Sequence, residues 1–175
     1  YMERPAKATL LYAKEVPEYG GDTIFRNTNM VYEQLSEGMK KLLCNLIGIN
    51  SSGKGYQGGR AAGMNRLNAM KGAFNKKSKR FESEHPVIRT HPDTGKKSIY
   101  INKSHTYKFK NMSEEESKPL IDYVCDYMVK PEFTCRFRWR PGSIAVWDNR
   151  TTLHTAINDY QKKRRHMQRI TLEGC

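Results

Sequence analysis

Long apolar runs are missing from this 175-residue sequence, which begins Tyr1-Met2-Glu3 instead of with a start methionine. A membrane-spanning helix needs about 20 consecutive apolar residues, and a signal peptide needs an apolar core of about 7 to 15. Neither pattern occurs between Tyr1 and Cys175. We therefore expect a soluble, cytoplasmic protein whose natural N-terminal segment precedes Tyr1.

Closely spaced cysteines are also missing. The four cysteines are Cys44, Cys125, Cys135 and Cys175, and no two of them form a Cys-x-x-Cys pair. Such spacing excludes the common zinc and dithiol motifs, and it gives no sign of a secreted disulfide framework. We expect reduced, partly buried thiols.

Acidic residues are scarce. Eighteen Asp and Glu stand against 31 Lys and Arg, which gives a formal net charge of +13. A basic field recruits polyanions whatever their sequence, so a nucleic-acid-binding surface is one interpretation. The other is a solvated basic surface that also attracts small acidic substrates. Bases and aromatics interleave between Arg136 and Arg140, which favours the first interpretation, although the alternation of a half-buried strand explains this pattern more simply.

The apolar residues, 37% of the chain, are sufficient for one folded domain over residues 1–175. Short β-type runs occur at 8–16, 23–25, 47–51, 87–91, 98–102, 133–140, 143–148 and 168–172. Helical patterns follow an N-cap at Ser36 and run from Ser113 to Val129, where Ser113 and Glu116 form a capping box. The long basic stretch Gly53–Glu84 predicts a loop. Many short strands without a βαβ rhythm favour a mainly β fold, an antiparallel barrel or jelly roll with helices packed outside.

The polar residues between 141 and 174 are organised. His154 is placed in a loop after the strand 143–148, and Arg165 and Arg169 are predicted to share one strand face, roughly 13 Å apart at about 3.3 Å per residue. If that face points inward, the two cations need anions such as carboxylates or sulfonates. The alternative is a solvent-exposed charged turn over residues 162–165. A single histidine is equally ambiguous, and spacing alone does not decide between these interpretations.

This segment resembles the C-terminal signature of the taurine and phenoxyacetate dioxygenases, which depend on Fe(II) and 2-oxoglutarate. The matching residues are Trp147-Asp148-Asn149-Arg150, His154, Asp159-Tyr160, Arg164-Arg165 and Arg169. Further matches follow in the family's order at Gly20-Gly21-Asp22-Thr23, Tyr32 to Ser36, His85-Pro86-Val87, His91-Pro92, Tyr100-Ile101-Asn102 and Met112 to Ser117. The resemblance covers essentially the whole chain. It implies a double-stranded β-helix (jelly roll) with flanking helices, whose N-terminal part is missing here.

The resemblance also implies site residues. Iron in this family is held by a His-x-Asp pair and a distant histidine, and His154 matches the distant one. Arg165 and Thr23 match the cation and the hydroxyl that hold the far carboxylate of 2-oxoglutarate. Arg169 matches the residue that binds the acidic group of the substrate. His105 stands where the taurine enzymes carry a phenylalanine against the substrate, so it adds a hydrogen bond or charge there, or is a loop histidine without ligand contact.

The activity implied is hydroxylation of a small acidic substrate by O2, with release of succinate and CO2. Taurine, another sulfonate, a sulfate ester or a carboxylate would serve as substrate. The basic stretch Lys71–Arg80 falls where the family has a mobile lid, and a solvated loop is its other interpretation. Two alternatives for the whole chain are a basic nucleic-acid-binding protein and a fragment that is catalytically inert as it stands. An incomplete barrel would expose apolar edges, and such edges could associate to form a homo-oligomer.

The absence of a His-x-Asp pair from this sequence leads to the first prediction. No His-x-Asp occurs in the 175 residues, and the resemblance places the pair just before Tyr1. We expect the gene to encode His-x-Asp immediately upstream of Tyr1, and sequencing that region is the measurement. An unrelated or absent upstream region would refute the iron mechanism for this protein.

Overall fold

The computed structural model describes residues 2–52, 81–161 and 163–174. Within these residues the chain forms two compact units. Unit 1 contains residues 2–3, 36–52, 81–89 and 100–127. Unit 2 contains residues 4–35, 90–99, 128–161 and 163–174. The predicted loop and lid positions between 53 and 80 lie outside the described residues.

Short strands dominate the described residues. The strands are β1 (Ala8–Glu15), β2 (Thr23–Asn27), β3 (Ile47–Ser51), β4 (Glu82–Pro86), β5 (Ile88–Thr90), β6 (Lys97–Ile99), β7 (Thr106–Phe109), β8 (Thr134–Phe137), β9 (Ile144–Asp148), β10 (Thr152–Ala156) and β11 (His166–Leu172). The helices are α1 (Thr28–Gln34), α2 (Glu37–Cys44) and α3 (Glu114–Tyr127), and a 3-10 turn covers Pro131–Phe133. No helix of the described residues is long and apolar enough to cross a membrane.

Two antiparallel sheets form the frame of unit 2. Their strand orders are β11-β1-β9 and β10-β2-β8, so the chain passes repeatedly from one sheet to the other. The ring centroids of Phe25 in β2 and Trp147 in β9 are 5.1 Å apart, which shows that the two sheets face each other. This arrangement is the jelly roll, or double-stranded β-helix, that the sequence predicts.

Unit 1 is built on a third antiparallel sheet, β4-β3-β7, with α3 packed against β7. Its core side chains, including Leu43, Phe109 and Val124, are buried. The predicted capping box holds the start of α3, because the Ser113 amide donates to Glu116 Oε2 at 2.7 Å and the Glu116 amide donates to Ser113 Oγ at 3.1 Å. Ser36 caps α2 as predicted, since its Oγ accepts from the Met39 amide at 3.3 Å.

Three local predictions were wrong. His154 lies in β10 and not in a loop, because residues 152–156 pair with β2 over its whole length. Helix α1 was missed, although the Asn27 side chain caps it by accepting from the amides of Asn29 and Met30. Strand β4 begins at Glu82, inside the segment predicted to be loop. In each case pairing or capping decided the conformation, and neither left a clear periodic pattern.

The basic outer face predicted for β8 is present, and its cations have partners in the same unit. Arg136 Nε donates to Asp22 Oδ2 at 2.7 Å. Arg138 donates to the backbone oxygen of Glu18 at 3.1 Å and lies over the ring of Tyr19. These arginines are therefore used to hold the segment before β2. That role explains the interleaved bases without a polyanion.

One face of the β11-β1-β9 sheet is exposed and apolar. The pairing register places Ile144, Val146, Ile170 and Leu172 on the same face, and all four are exposed. An exposed apolar surface of this kind is a candidate site of association. Self-association remains a prediction.

Two adjacent leucines in α2 provide a test of the unit 1 core. Leu43 is 0% exposed and Leu42 is 49% exposed. We expect Leu43→Ala to lower the free energy of unfolding by about 2–5 kcal/mol, because it leaves a cavity. Leu42→Ala has the same effect on helix propensity, but it removes an exposed side chain. It should change the free energy of unfolding by only about 0.5 kcal/mol. Urea denaturation measures the free energy of unfolding of both variants. Equal losses of stability would contradict the assignment of Leu43, and not Leu42, to the core of unit 1.

Candidate active site

The sheet β10-β2-β8 carries the predicted metal ligand and one predicted co-substrate ligand on the same face. His154 pairs with Phe25, and Thr23 pairs with Ala156 on one side and Phe137 on the other. Paired residues and residues two apart share a face of a sheet, so the side chains of His154 and Thr23 point to the same side. Strand spacing and rise place their Cα atoms roughly 8 Å apart.

Trp139 lies between the two predicted co-substrate ligands. Its indole Nε1 donates to Thr23 Oγ1 at 3.0 Å, and both residues are buried. The guanidinium carbon of Arg165 is 6.0 Å from the centroid of the Trp139 ring. A hydroxyl that accepts one hydrogen bond still carries its own hydrogen to donate. Thr23 and Arg165 are thus brought to one place, with the chemistry needed to hold a carboxylate.

Gly21 allows Arg165 to approach this closely, and Gly20 gives similar room to Asp159. Gly20 and Gly21 have φ values of +82° and +71°, which side chains rarely adopt. A Cβ added at Gly21 would lie 3.0 Å from Arg165 Cδ. Arg165 Nε donates to the Gly21 oxygen at 2.9 Å, and the Gly21 amide donates to Asp159 Oδ1 at 2.7 Å. The glycine motif before β2 and the C-terminal motif therefore interlock.

His154 lies against Trp147, with ring centroids 4.8 Å apart. Trp147 is 7% exposed, and its Nε1 is buried without a hydrogen-bond partner among the described residues. An unsatisfied buried donor costs about 1–3 kcal/mol, so an acceptor that reached this N–H would be stabilised by it. Residues 2–52, 81–161 and 163–174 contain no cluster of three or more metal-binding side chains. The described chain fits an iron site through one donor, His154, and iron would need other donors from outside these residues.

Arg169 lies in β11, and Arg165 directly precedes the first residue of that strand. The predicted common face and separation of the two arginines remain a prediction. Arg169 pairs with Leu11, while Trp147 pairs with Thr9, two residues away on the same strand. Arg169 therefore shares the sheet face of Trp147, which is the face directed at the other sheet, and its side chain is exposed.

His105 belongs to unit 1, whereas the other four predicted site residues belong to unit 2. Its amide donates to Asn102 Oδ1 at 3.1 Å, and its backbone oxygen accepts from the Ser51 amide at 2.9 Å. These bonds fix its backbone within unit 1. A contact between its side chain and substrate remains a prediction.

Sequence reasoning assigned no role to a cluster of charged residues at the end of β9. His91 Nε2 lies 3.0 Å from Asp148 Oδ2, and Arg150 Nε and Nη2 bond the same carboxylate. Burial by itself raises the pKa of Asp148, but the hydrogen bonds from Arg150 and His91 outweigh it and hold that pKa well below its usual range. The signal in the sequence was that His91, Asp148 and Arg150 all fall in motifs of the resemblance.

The fold is a double-stranded β-helix whose β10-β2-β8 sheet presents His154 and Thr23 on one face. Comparison with known proteins gives the family. The family model "Taurine catabolism dioxygenase TauD, TfdA family" matches residues 1–171. The chain belongs to this family.

Similar proteins include an alkylsulfatase of Acinetobacter baylyi, 35% identical over 99% of this chain and 54% of its own length. An alpha-ketoglutarate-dependent sulfate ester dioxygenase of Pseudomonas putida is 31% identical over 99% of this chain and 57% of its own length. The chain thus spans about half the length of these relatives.

Solved structures are similar over nearly the whole chain. AAD-2 in complex with Mn(II) and N-oxalylglycine superposes with a TM-score of 0.82 at 28% identity, over 98% of this chain and 65% of AAD-2. A taurine dioxygenase from Burkholderia xenovorans has a TM-score of 0.80 at 30% identity, over 99% of this chain and 54% of that one. The fold predicted from the sequence is therefore confirmed.

The lowered pKa of Asp148 predicts a pH dependence. A carboxyl group whose pKa is lowered by folding stabilises the fold above its unfolded pKa, near 3.9, and loses that contribution as the pH falls through the folded pKa. We expect wild type to be more stable than Asp148→Asn at neutral pH, with a difference that shrinks below about pH 4. Urea denaturation at several pH values measures this. A difference that stays constant down to pH 3 would contradict the assignment.

Proposed function

We propose that this protein is an Fe(II)- and 2-oxoglutarate-dependent dioxygenase that oxidises a small acidic substrate, a sulfate ester or a sulfonate, and releases succinate and CO2. The observation that carries the proposal is the contact of Trp139 with both Thr23 and Arg165, where Thr23 lies on the sheet face that also presents His154. One end of this site can hold a carboxylate and the other can donate an imidazole to a metal.

Thr23 and Arg165 hold the far carboxylate of 2-oxoglutarate in this proposal. The hydroxyl of Thr23 is oriented by the bond from Trp139 and donates to one carboxylate oxygen. The guanidinium of Arg165 provides charge-assisted bonds in a planar arrangement that suits a carboxylate. Its Nε donates to the Gly21 oxygen, which fixes one edge of the guanidinium. Two fixed donors at one end orient the whole co-substrate.

His154 is proposed to bind the iron, together with donors outside the described residues. When bound with 2-oxoglutarate, Fe(II) in this family activates O2 for oxidation of a carbon on the substrate. The buried Trp147 ring excludes water from one side of His154 and fixes the orientation of the imidazole. The 175 residues alone are proposed to be inactive, because a single histidine cannot hold Fe(II) as a three-ligand site does.

Arg169 is proposed to bind the acidic group of the substrate. It lies on the same sheet face as Trp147, and a guanidinium binds sulfate, sulfonate or carboxylate through paired hydrogen bonds. The names of the relatives favour the sulfur acids, since they are an alkylsulfatase, a sulfate ester dioxygenase and, in Saccharomyces cerevisiae, a sulfonate dioxygenase. His105 is proposed to contact the same substrate.

We also propose a domain organisation, a cytoplasmic location and an oligomeric state. Residues 1–171 match one family model, which supports reading the two compact units as parts of a single dioxygenase domain. The described cysteines, Cys44, Cys125 and Cys135, are free thiols, which is what a reducing cytoplasm maintains. The exposed apolar face of the β11-β1-β9 sheet supports a homo-oligomer.

Adjacent arginines allow a matched test of the co-substrate site. We expect Arg165→Ala in the full-length enzyme to raise the KM for 2-oxoglutarate roughly 10- to 100-fold, since charged hydrogen bonds are worth about 1.5–3 kcal/mol. Arg164→Ala removes the same charge from an exposed pair with Glu15 and should leave that KM unchanged. Succinate release that requires Fe(II), assayed over a panel of sulfate esters, sulfonates and carboxylates, is the measurement.

Two outcomes would count against the proposal. Succinate release that does not require Fe(II) would refute the reaction class. Equal KM values for the Arg165 and Arg164 variants would refute the role of Arg165. His105→Ala should retain succinate release with 2-oxoglutarate at its normal KM, because His105 is proposed to contact the substrate and not the co-substrate.

A further inference from the structure

The turn that joins β9 to β10 is anchored at each of its residues, all within unit 2. Asn149 Nδ2 donates to Thr9 Oγ1 at 2.8 Å, and the Asn149 amide donates to the Lys7 oxygen at 2.9 Å. The Arg150 oxygen accepts from Ser98 Oγ at 3.2 Å. The Thr151 oxygen accepts from both the amide and the hydroxyl of Thr28, each at 2.9 Å. Such a turn has little freedom to move, and β10 with His154 begins directly after it.

His91 provides the buried part of this anchoring. Its Nδ1 accepts from the amides of Asp93 and Thr94 at 3.2 and 3.1 Å. The ring hydrogen is therefore assigned to Nε2, which donates to Asp148 Oδ2 at 3.0 Å. His91 thus links the hairpin between β5 and β6 to the last residue of β9. Each ring nitrogen has a separate task.

Arg150 completes the cluster from the other side of the carboxylate. Its backbone amide and its Nε donate to Asp148 Oδ1 at 2.8 and 2.9 Å, and its Nη2 donates to Asp148 Oδ2 at 2.6 Å. The same Nη2 donates to Asp93 Oδ2 at 3.0 Å, which ties Arg150 to the hairpin as well. The carboxylate of Asp148 therefore accepts bonds on both oxygens and has one fixed orientation.

This cluster is one residue away from the ring that packs on His154. Asp148 follows Trp147, whose centroid is 4.8 Å from that of His154. A shift of Asp148 would move Trp147 along β9 and would also move the start of β10 through the turn. The cluster itself makes no direct bond to His154. Its effect on the site has to act through Trp147 and the turn.

We propose that His91, Asp148 and Arg150 are positioning residues, which hold Trp147 and His154 in the geometry that the metal site requires. This inference rests on the proposed function, because it assumes that His154 binds iron. The residues act as outer-shell partners do in other metal sites, where a change costs about 10- to 100-fold in metal affinity or activity.

Two substitutions at His91 separate the positioning role from a purely structural one. His91→Asn places an oxygen where Nδ1 lies, so it can still accept from the Asp93 and Thr94 amides but cannot reach Asp148. His91→Gln places its amide nitrogen near the position of Nε2, so it can still donate to Asp148 but loses the turn cap. Thr94→Ala is the matched control, since it removes only the bond from the Lys96 amide within the same turn.

Two readouts are needed, both on the full-length protein. The first is the dissociation constant of Mn(II), used in place of Fe(II) in the presence of 2-oxoglutarate. The second is the NMR resonance of the Trp147 indole N–H, assigned with a Trp147→Phe variant and recorded without metal. We expect His91→Asn to weaken Mn(II) binding about 10- to 100-fold and to shift the indole resonance. His91→Gln and Thr94→Ala should keep Mn(II) binding within about tenfold of wild type and leave the resonance in place.

Three results would overturn the inference. Wild-type Mn(II) affinity and an unshifted resonance in His91→Asn would show that the bond to Asp148 is dispensable. Equal losses in His91→Asn and His91→Gln would show that the imidazole ring acts by packing. If His91→Asn does not fold, Arg150→Lys decides instead, and an unchanged affinity and resonance there would overturn the inference.

Failure of the proposed function gives a different pattern. Wild type would then bind no Mn(II) in the presence of 2-oxoglutarate, whatever the state of the cluster. The Trp147 resonance would still separate His91→Asn from His91→Gln if the cluster positions Trp147. The same spectrum in all His91 variants would instead refute the positioning role by itself.

Discussion

The pairing of β2 with β10 is the constraint on which the site depends. It aligns Phe25 with His154 and Thr23 with Ala156, so that the proposed metal ligand and the proposed co-substrate ligand face the same side. A slip of one residue would turn every side chain of one strand to the opposite face. Bonds at both ends prevent this slip, because the Thr28 amide donates to the Thr151 oxygen and the Ile157 amide donates to the Asp22 oxygen.

The arginines show how a chain with a net charge of +13 can build a specific site. Arg136 pairs with Asp22, Arg150 with Asp93 and Asp148, and Arg164 with Glu15. These pairs hold segments of the fold in place. Arg165 differs, because its Nε donates to a backbone oxygen and its guanidinium lies over the rings of Trp139 and Tyr160. The face of an aromatic ring attracts a cation without neutralising its charge.

Most strands and both of the predicted helices could be located from the sequence, since their signals are local. The capping box at Ser113 and the N-cap at Ser36 depend on residues three positions apart, and both were found. Helix α1 and strand β10 were not found. Helix α1 has only seven residues after its Asn27 cap, and the conformation of β10 is set by its pairing with β2. Local patterns carry no information about such partners.

The sequence by itself determined the residue types and order of the motifs, and with them the family and the likeness to an iron- and 2-oxoglutarate-dependent site. Only the tertiary structure decided which of those residues meet. Trp139 lies between Thr23 and Arg165, and His154 lies in β10 instead of the predicted loop. His91 bonds to Asp148, which is 57 positions away in the chain. The reason is physical: these contacts depend on strand register and on the crossing of the chain between two sheets, which no local spacing in the sequence encodes.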